Sequence, residues 1–207
     1  MAGKRALSEE DRLRVRDAVA AAEATTTGEI FVVVADASDE YRFIPLVWAT
    51  LAALVVPLPL TLLTTLPATT VFADQLAVFI ILALVLSWPG LRAQVVPARV
   101  KHGRAHALAM QQFLAHGLHV TEARTGVLIF VSLAERHAEV VADAGIAAHV
   151  GQREWDGVVA ALTSEIRQGR LAEGLIAAIN DAGAVLARHF PADPNDRNEL
   201  SNEVVLL

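Results

Sequence analysis

Cysteine is missing from this chain, which excludes disulfides, thiolate catalysis and Cys-ligated zinc, and suits a reducing cytoplasm. A basic surplus is missing too. The formal net charge is −6, with a sequence pI of about 5.6, so the positive footprint that nucleic acid requires is not available. The first sixteen residues carry Lys4, Arg5, Arg12, Arg14 and Arg16 but lack the apolar core of an export signal. Most telling is an absence of charge in one place. Residues 44–66 contain no Asp, Glu, Lys or Arg, and at about 1.5 Å per residue such a helix crosses a hydrocarbon layer about 30 Å thick.

What the chain has in quantity is apolar surface. It is 54% hydrophobic with a mean hydropathy of +0.44, above the usual range of a water-soluble domain. A second apolar run is centred on 76–88, and 67–75 separates the two. This is the pattern of a transmembrane hairpin. The connecting segment has no Lys or Arg and one acid, Asp74, whereas Arg42, Arg92, Arg99, Lys101 and Arg104 flank the pair. The positive-inside rule then places the loop outside and both termini in the cytoplasm, in the inner or plasma membrane. Pro57-Leu58-Pro59 predicts a kink in the first span. With no ionisable residue expected inside either apolar core, the hairpin reads as an anchor rather than a transport path.

The remaining sequence reads as a soluble domain in two pieces. Ser8, followed by Glu9, Glu10 and Asp11, resembles a helix start, with a capping hydroxyl and then acids where the helix dipole favours them. Glu29–Ala35 is a β-branched apolar run, the pattern of a strand buried on both faces. After the hairpin, 100–117 reads as a helix, 126–133 as a second buried strand and His137–Ala142 as a third. The short polar link between the last two predicts an antiparallel hairpin, and the long crossover before them predicts that the first two run parallel. Helices are expected over 145–168 and 171–190, then a flexible tail. The expected fold class is α/β in the α+β sense, a small mixed β-sheet flanked by helices with an inserted two-helix transmembrane hairpin. Its segments are 1–43, 44–91, 92–190 and 191–207.

That order resembles the TPM domain family, named after a thylakoid phosphatase. The resemblance is carried by Thr27-Gly28-Glu29-Ile30-Phe31-Val32-Val33-Val34, by Thr125-Gly126-Val127-Leu128-Ile129-Phe130-Val131-Ser132, and by Glu135-Arg136. It continues through Ala138-Glu139-Val140-Val141-Ala142-Asp143-Ala144-Gly145-Ile146, with Trp155 and Gly174-Leu175 further on. The family implies acid phosphatase activity, calcium binding, or non-catalytic accessory roles at membrane complexes. Where many members carry a glycine-rich acidic stretch after the third strand, this chain has Gly145-Ile146-Ala147-Ala148-His149.

The strand directions gather Glu29, Gly126 and Asp143 at one pole of the sheet. Glu29, Asp143 and Asp156 are the candidate oxygen ligands for a metal there, with Ca²⁺ or Mg²⁺ as the candidate cofactor. Asp143 also suits a plain helix cap. His102 and His106, four apart on one helix face, suit either a chelate or a solvated surface. His116 and His119 flank a helix end. Trp155 suits the core or a lid over the pole. Ser132 and Ser164 lack a local base, so no Ser-His-Asp arrangement is assembled. The leading functional expectation is an accessory or interaction module on the cytoplasmic face, with the lipid bilayer and a membrane protein as partners and no nucleic acid. The alternative is a divalent-metal-dependent phosphatase acting on phosphomonoesters, with Arg124, Arg153 and Arg170 as the cations nearest in sequence.

Overall fold

The computed structural model describes residues 7–92, 94–121, 123–194 and 197–207. The chain divides into two compact units, Met1–Ser38 with His102–Leu207, and Asp39–Lys101.

The first unit is a mixed α+β fold. Helix α1 (Glu9–Glu23) starts where Ser8 accepts the Asp11 amide, with Glu9, Glu10 and Asp11 in its first turn. Strand β1 (Glu29–Ala35) follows, buried at every position. The chain then leaves for the second unit and returns along α6 (Ala98–Ala115) and a single 3-10 turn, Leu118–Val120. Next come β2 (Gly126–Ser132), also buried throughout, and β3 (His137–Ala142). A single turn α7 (Ala144–Ala147), then α8 (Gln152–Arg167) and α9 (Leu171–His189), complete the helices. The expected continuous helix over 145–168 is therefore two. Gly151 sits in extended backbone (φ −76°, ψ 152°) and opens a second helix rather than continuing the first.

The sheet order is β3-β2-β1-β4, with β4 the short C-terminal strand Val205–Leu206. β1 pairs with β2 in parallel, Glu29 opposite Gly126 and Ala35 opposite Ser132, while β2 and β3 pair antiparallel. The four-residue link 133–136 closes with the Arg136 amide on the Leu133 carbonyl, and Arg136 takes the left-handed conformation (φ 51°). β4 (Val205–Leu206) corrects the expectation of a flexible tail. It lies parallel to β1, opposite Val33 and Val34, and Leu207 bonds on both sides of it, its amide to the Val34 carbonyl and its carbonyl to the Asp36 amide. Two residues are too few to show a strand period.

Alternation along the strands sorts the core into two layers. Ile30, Val32, Val34, Val127, Ile129 and Val131 face α1, α8 and α9, where Trp155, Leu162, Leu175, Ile179 and Leu186 pack. Phe31, Val33, Leu128 and Phe130 face α6, meeting Ala105, Ala109 and Phe113. Trp155 is thus a core residue, 3% exposed.

The second unit contains two apolar helical stretches. α2 (Phe43–Val55) and α3 (Pro57–Leu63) together form one run of 21 residues, and α4 (Ala68–Leu86) forms the other. α5 (Pro89–Arg92) follows. The division between α2 and α3 falls at Val56, whose backbone stays helical (φ −53°, ψ −44°). Pro57 and Pro59 have no amide hydrogen to give back to the preceding turn. Pro45, Ala49 and Ala53, four apart, are buried together with Val71 of α4, the small-residue seam that lets helix backbones approach. Asp74 corrects the expected boundaries. It lies within α4 rather than in the loop, and lines a cleft of about 410 Å³ with Val56, Pro59, Leu60, Ala77, Val78 and Ile81.

Candidate functional site

The pole formed by the starts of β1 and β2 and the end of β3 holds two of the three expected metal ligands, but directs them to separate tasks. Glu29 is 4% exposed. Its carboxylate accepts the backbone amides of Glu199 (3.0 Å) and Leu200 (3.3 Å) from the C-terminal segment. Glu23, at the end of α1, works beside it: one oxygen accepts the Ile30 amide and the other the Asn202 side-chain amide (2.6 Å). A cleft of about 290 Å³ there is lined by Glu23, Thr26, Glu29, Asp193, Asn198 and Asn202. Two carboxylates thus hold the returning chain so that β4 can dock. Glu29→Ala will free that segment. Hydrogen bonds to charged groups are worth about 1.5–3 kcal/mol, so hydrogen exchange at the Leu207 amide is expected to speed up at least about tenfold, with the β2 amides unchanged.

Asp143 flanks the same end of β2, its own amide donating to the Gly126 carbonyl. One carboxylate oxygen accepts the Ala144 amide at 2.7 Å, capping α7, and Arg124 stands 3.9 Å from that oxygen. The other oxygen is buried without a hydrogen-bond partner. Asp156 is elsewhere, exposed on α8 and accepting from the Gln152 side chain at 3.1 Å. It lines a different cleft from Glu29. The structure does not bring Glu29, Asp143 and Asp156 together, and among the described residues no group of three or more His, Asp or Glu is arranged to hold a metal ion. Of the candidate cations for phosphoryl charge, Arg170 is held by both oxygens of Glu165 (2.6 and 3.1 Å). Ser132 is fully buried, bonded to Glu135 and Ser38 at the opposite end of the strand.

The more distinctive constellation was not expected. Glu139, on β3, projects toward α6. One of its oxygens bonds His106 Nδ1 at 2.9 Å, and the other lies 3.6 Å from His137 Nε2. The His102 ring sits against that of His137, centroids 5.1 Å apart. Glu139 Oε1 and His137 Nε2 are both buried with no hydrogen-bond partner. Burial is the largest single influence on Glu139 and opposes its ionisation, yet the neighbouring imidazoles of His137 and His106 together hold its pKa below the ordinary 4.5. A depressed folded value means that Glu139 stabilises the fold fully above about pH 4.5, and that this is lost as pH falls through the lower folded pKa. The melting-temperature advantage of the native chain over Glu139→Gln should therefore shrink with acidification only below that point.

This cluster borders the open side of the sheet. β3 is an edge strand, and a cleft of about 430 Å³ runs along it, lined by Ala138, Val140 and Ala142 of the strand, His106 of α6, and Asp156 and Val159 of α8. The bond from the Asp143 amide to Gly126 sets the phase of the ladder. His137, Glu139 and Val141 exchange bonds with β2, so Ala138, Val140 and Ala142 turn their N–H and C=O groups outward. No hydrogen bond among the described residues takes those groups.

A small mixed sheet with helices on both faces defines the class as α+β. The TPM domain model matches residues 91–185, a span holding all of α6, β2, β3, α7 and α8 and most of α9. The chain is similar in fold to a protein solved by NMR, BA42 from the psychrophilic bacterium Bizionia argentinensis, at 21% identity and a TM-score of 0.64, covering 99% of this chain and 98% of that one. No curated protein matches it.

Proposed function

We propose that this chain is a membrane-anchored TPM-like protein, an interaction module held on the cytoplasmic face of the plasma membrane by the hairpin of α2–α3 and α4. The observation that carries this reading is the surface of those helices. Their windows have a mean hydropathy of 2.2, yet only 11% and 6% of each is buried. A core helix of a soluble protein hides its apolar side chains. Here Phe43, Leu62, Leu63 and Leu84 are 69–82% exposed, and an apolar area so large in water asks for lipid or a partner. Two tryptophans stand near the ends closest to the flanking basic residues: Trp48, whose indole donates to the Val95 carbonyl at 3.0 Å, and Trp88. Membrane interfaces favour tryptophan at such positions. The turn at 64–67 has no Lys or Arg, whereas Arg42, Arg92, Arg99 and Lys101 flank the pair, which supports cytoplasmic termini. No observation favours the phosphatase reading, since among the described residues no group of three or more His, Asp or Glu is arranged to hold a metal ion.

The absence of cysteine makes orientation directly testable. Single substitutions Thr65→Cys in the turn and Gln168→Cys after α8 are probed in intact cells with a membrane-impermeant maleimide. The expected result is labelling of Thr65→Cys from outside and of Gln168→Cys only after lysis. The reverse pattern would place the α+β unit outside the cell.

A further inference from the structure

We infer that the open edge of β3 takes an extended, Lys- or Arg-bearing segment of another protein as a fifth strand. This deepens the interaction-module reading, on which it rests, by naming the surface and the chemistry of its partner.

The outward N–H and C=O groups of Ala138, Val140 and Ala142 form a row spaced for an added strand. Natural sheets blunt such edges with lysine, proline, bulges or a covering element. β3 has no proline or lysine, and α6 and α8 flank the cleft without filling it. An added strand would place alternate side chains on its two faces. One face meets Glu139, whose Oε1 is buried and accepts no hydrogen bond, with His137 Nε2 3.6 Å away; the other meets Val140, Val159 and the exposed Asp156. Within the cleft one face offers Glu139 with His106, and the other Asp156; Arg136 and Arg167 stand farther along, beside Ala138 at the start of the strand. A basic side chain next to Glu139 completes a pair that the histidines satisfy only in part.

A second copy of the chain fits less well. A two-fold antiparallel pairing centred on Val140 would set the two Glu139 residues diagonally on one face, within reach of each other, and like charges in that relation are destabilising.

The test uses the full chain in lipid nanodiscs, residue-resolved amide exchange, and two synthetic probes: a peptide alternating Val with Lys, and its counterpart with Glu in place of Lys. The expected result is that the Lys peptide slows exchange at Ala138, Val140 and Ala142 by about tenfold or more, with His137, Glu139 and Val141 unchanged. Val140→Pro removes the central outward donor at a position whose amide is not used by the ladder, where an edge strand tolerates proline. It should abolish the protection while leaving the Glu139 and Val141 amides protected. Should that variant not fold, Glu139→Gln and Asp156→Asn provide the second arm, each weakening the Lys peptide up to about tenfold. Absence of slowing at the three amides, or equal binding of both peptides, would overturn the proposal. So would concentration-dependent protection without any peptide, which would assign the edge to a second copy. Maleimide labelling of Thr65→Cys and Gln168→Cys in intact cells separates the two levels: a changed topology with the β3 protection retained sinks the membrane orientation and not the edge.

Discussion

Gly126→Ala is expected to destabilise the α+β unit by about 3 kcal/mol or more, read as the loss in unfolding free energy by denaturant titration. A Cβ at Gly126 would lie 2.4 Å from the Leu118 carbonyl oxygen and 3.1 Å from Leu118 Cβ. The obstacle is backbone, so no side-chain rotation relieves it. Leu118 is itself fully buried in the 3-10 turn that follows Gly117, which holds a left-handed conformation at φ 73°. Moving the turn would pull Leu118 from the layer it shares with Phe113, Leu128 and Phe130. Overpacking typically costs about 1–3 kcal/mol, and more when the surroundings cannot give. Gly126 also begins the central parallel pairing and accepts the Asp143 amide, so both neighbouring strands feel the shift. An alanine variant with unchanged stability would mean that the turn is not packed as described.

Ile80→Arg in α4 is expected to expel that helix from the bilayer. Ile80 lies in the inner part of a helix of 19 residues and is 48% exposed. On insertion scales arginine at a helix centre costs about 2.5–3.5 kcal/mol, while isoleucine contributes about −0.3 to −0.6. The change of about 3–4 kcal/mol shifts the ratio of inserted to excluded helix more than about a hundredfold. The opposite sign is the informative contrast. If this surface faced water, replacing an exposed isoleucine by arginine would raise solubility and leave the partition unchanged. The readout is Gln168→Cys in the Ile80→Arg background, which becomes accessible from outside when α4 fails to cross.

β1 and β2 were legible because each carries a continuous apolar run rich in β-branched residues, and their buried patterns match that reading at every position. α1 was legible through Ser8 and the three acids after it. The direction of pairing followed from connection length alone. What escaped was set by contacts distant in sequence. Glu29 reads from sequence as a candidate ligand at a strand start, and nothing nearby reveals that amides about 170 positions later would occupy it. β4 is two residues that become a strand only because β1 offers an edge. The Glu139 cluster had a faint signal: His137 and Glu139 alternate on one strand face, and His102 and His106 share a helix face. Only the packing of α6 over β3, 33 positions apart at the His106–Glu139 bond, joins the two pairs. The extent of α4 was misread because Asp74 and Gln75 look like loop residues, although the 68–73 stretch before them contains nothing that stops a helix.

The most direct measurement is alkaline-carbonate extraction of membranes from cells expressing the full chain, followed by sedimentation. Retention of the protein in the washed membrane pellet, with release only by detergent, is the predicted result. Recovery of a monodisperse protein in the carbonate supernatant, stable without detergent, would contradict a lipid-embedded hairpin and leave the exposed faces of α2, α3 and α4 to a protein partner instead.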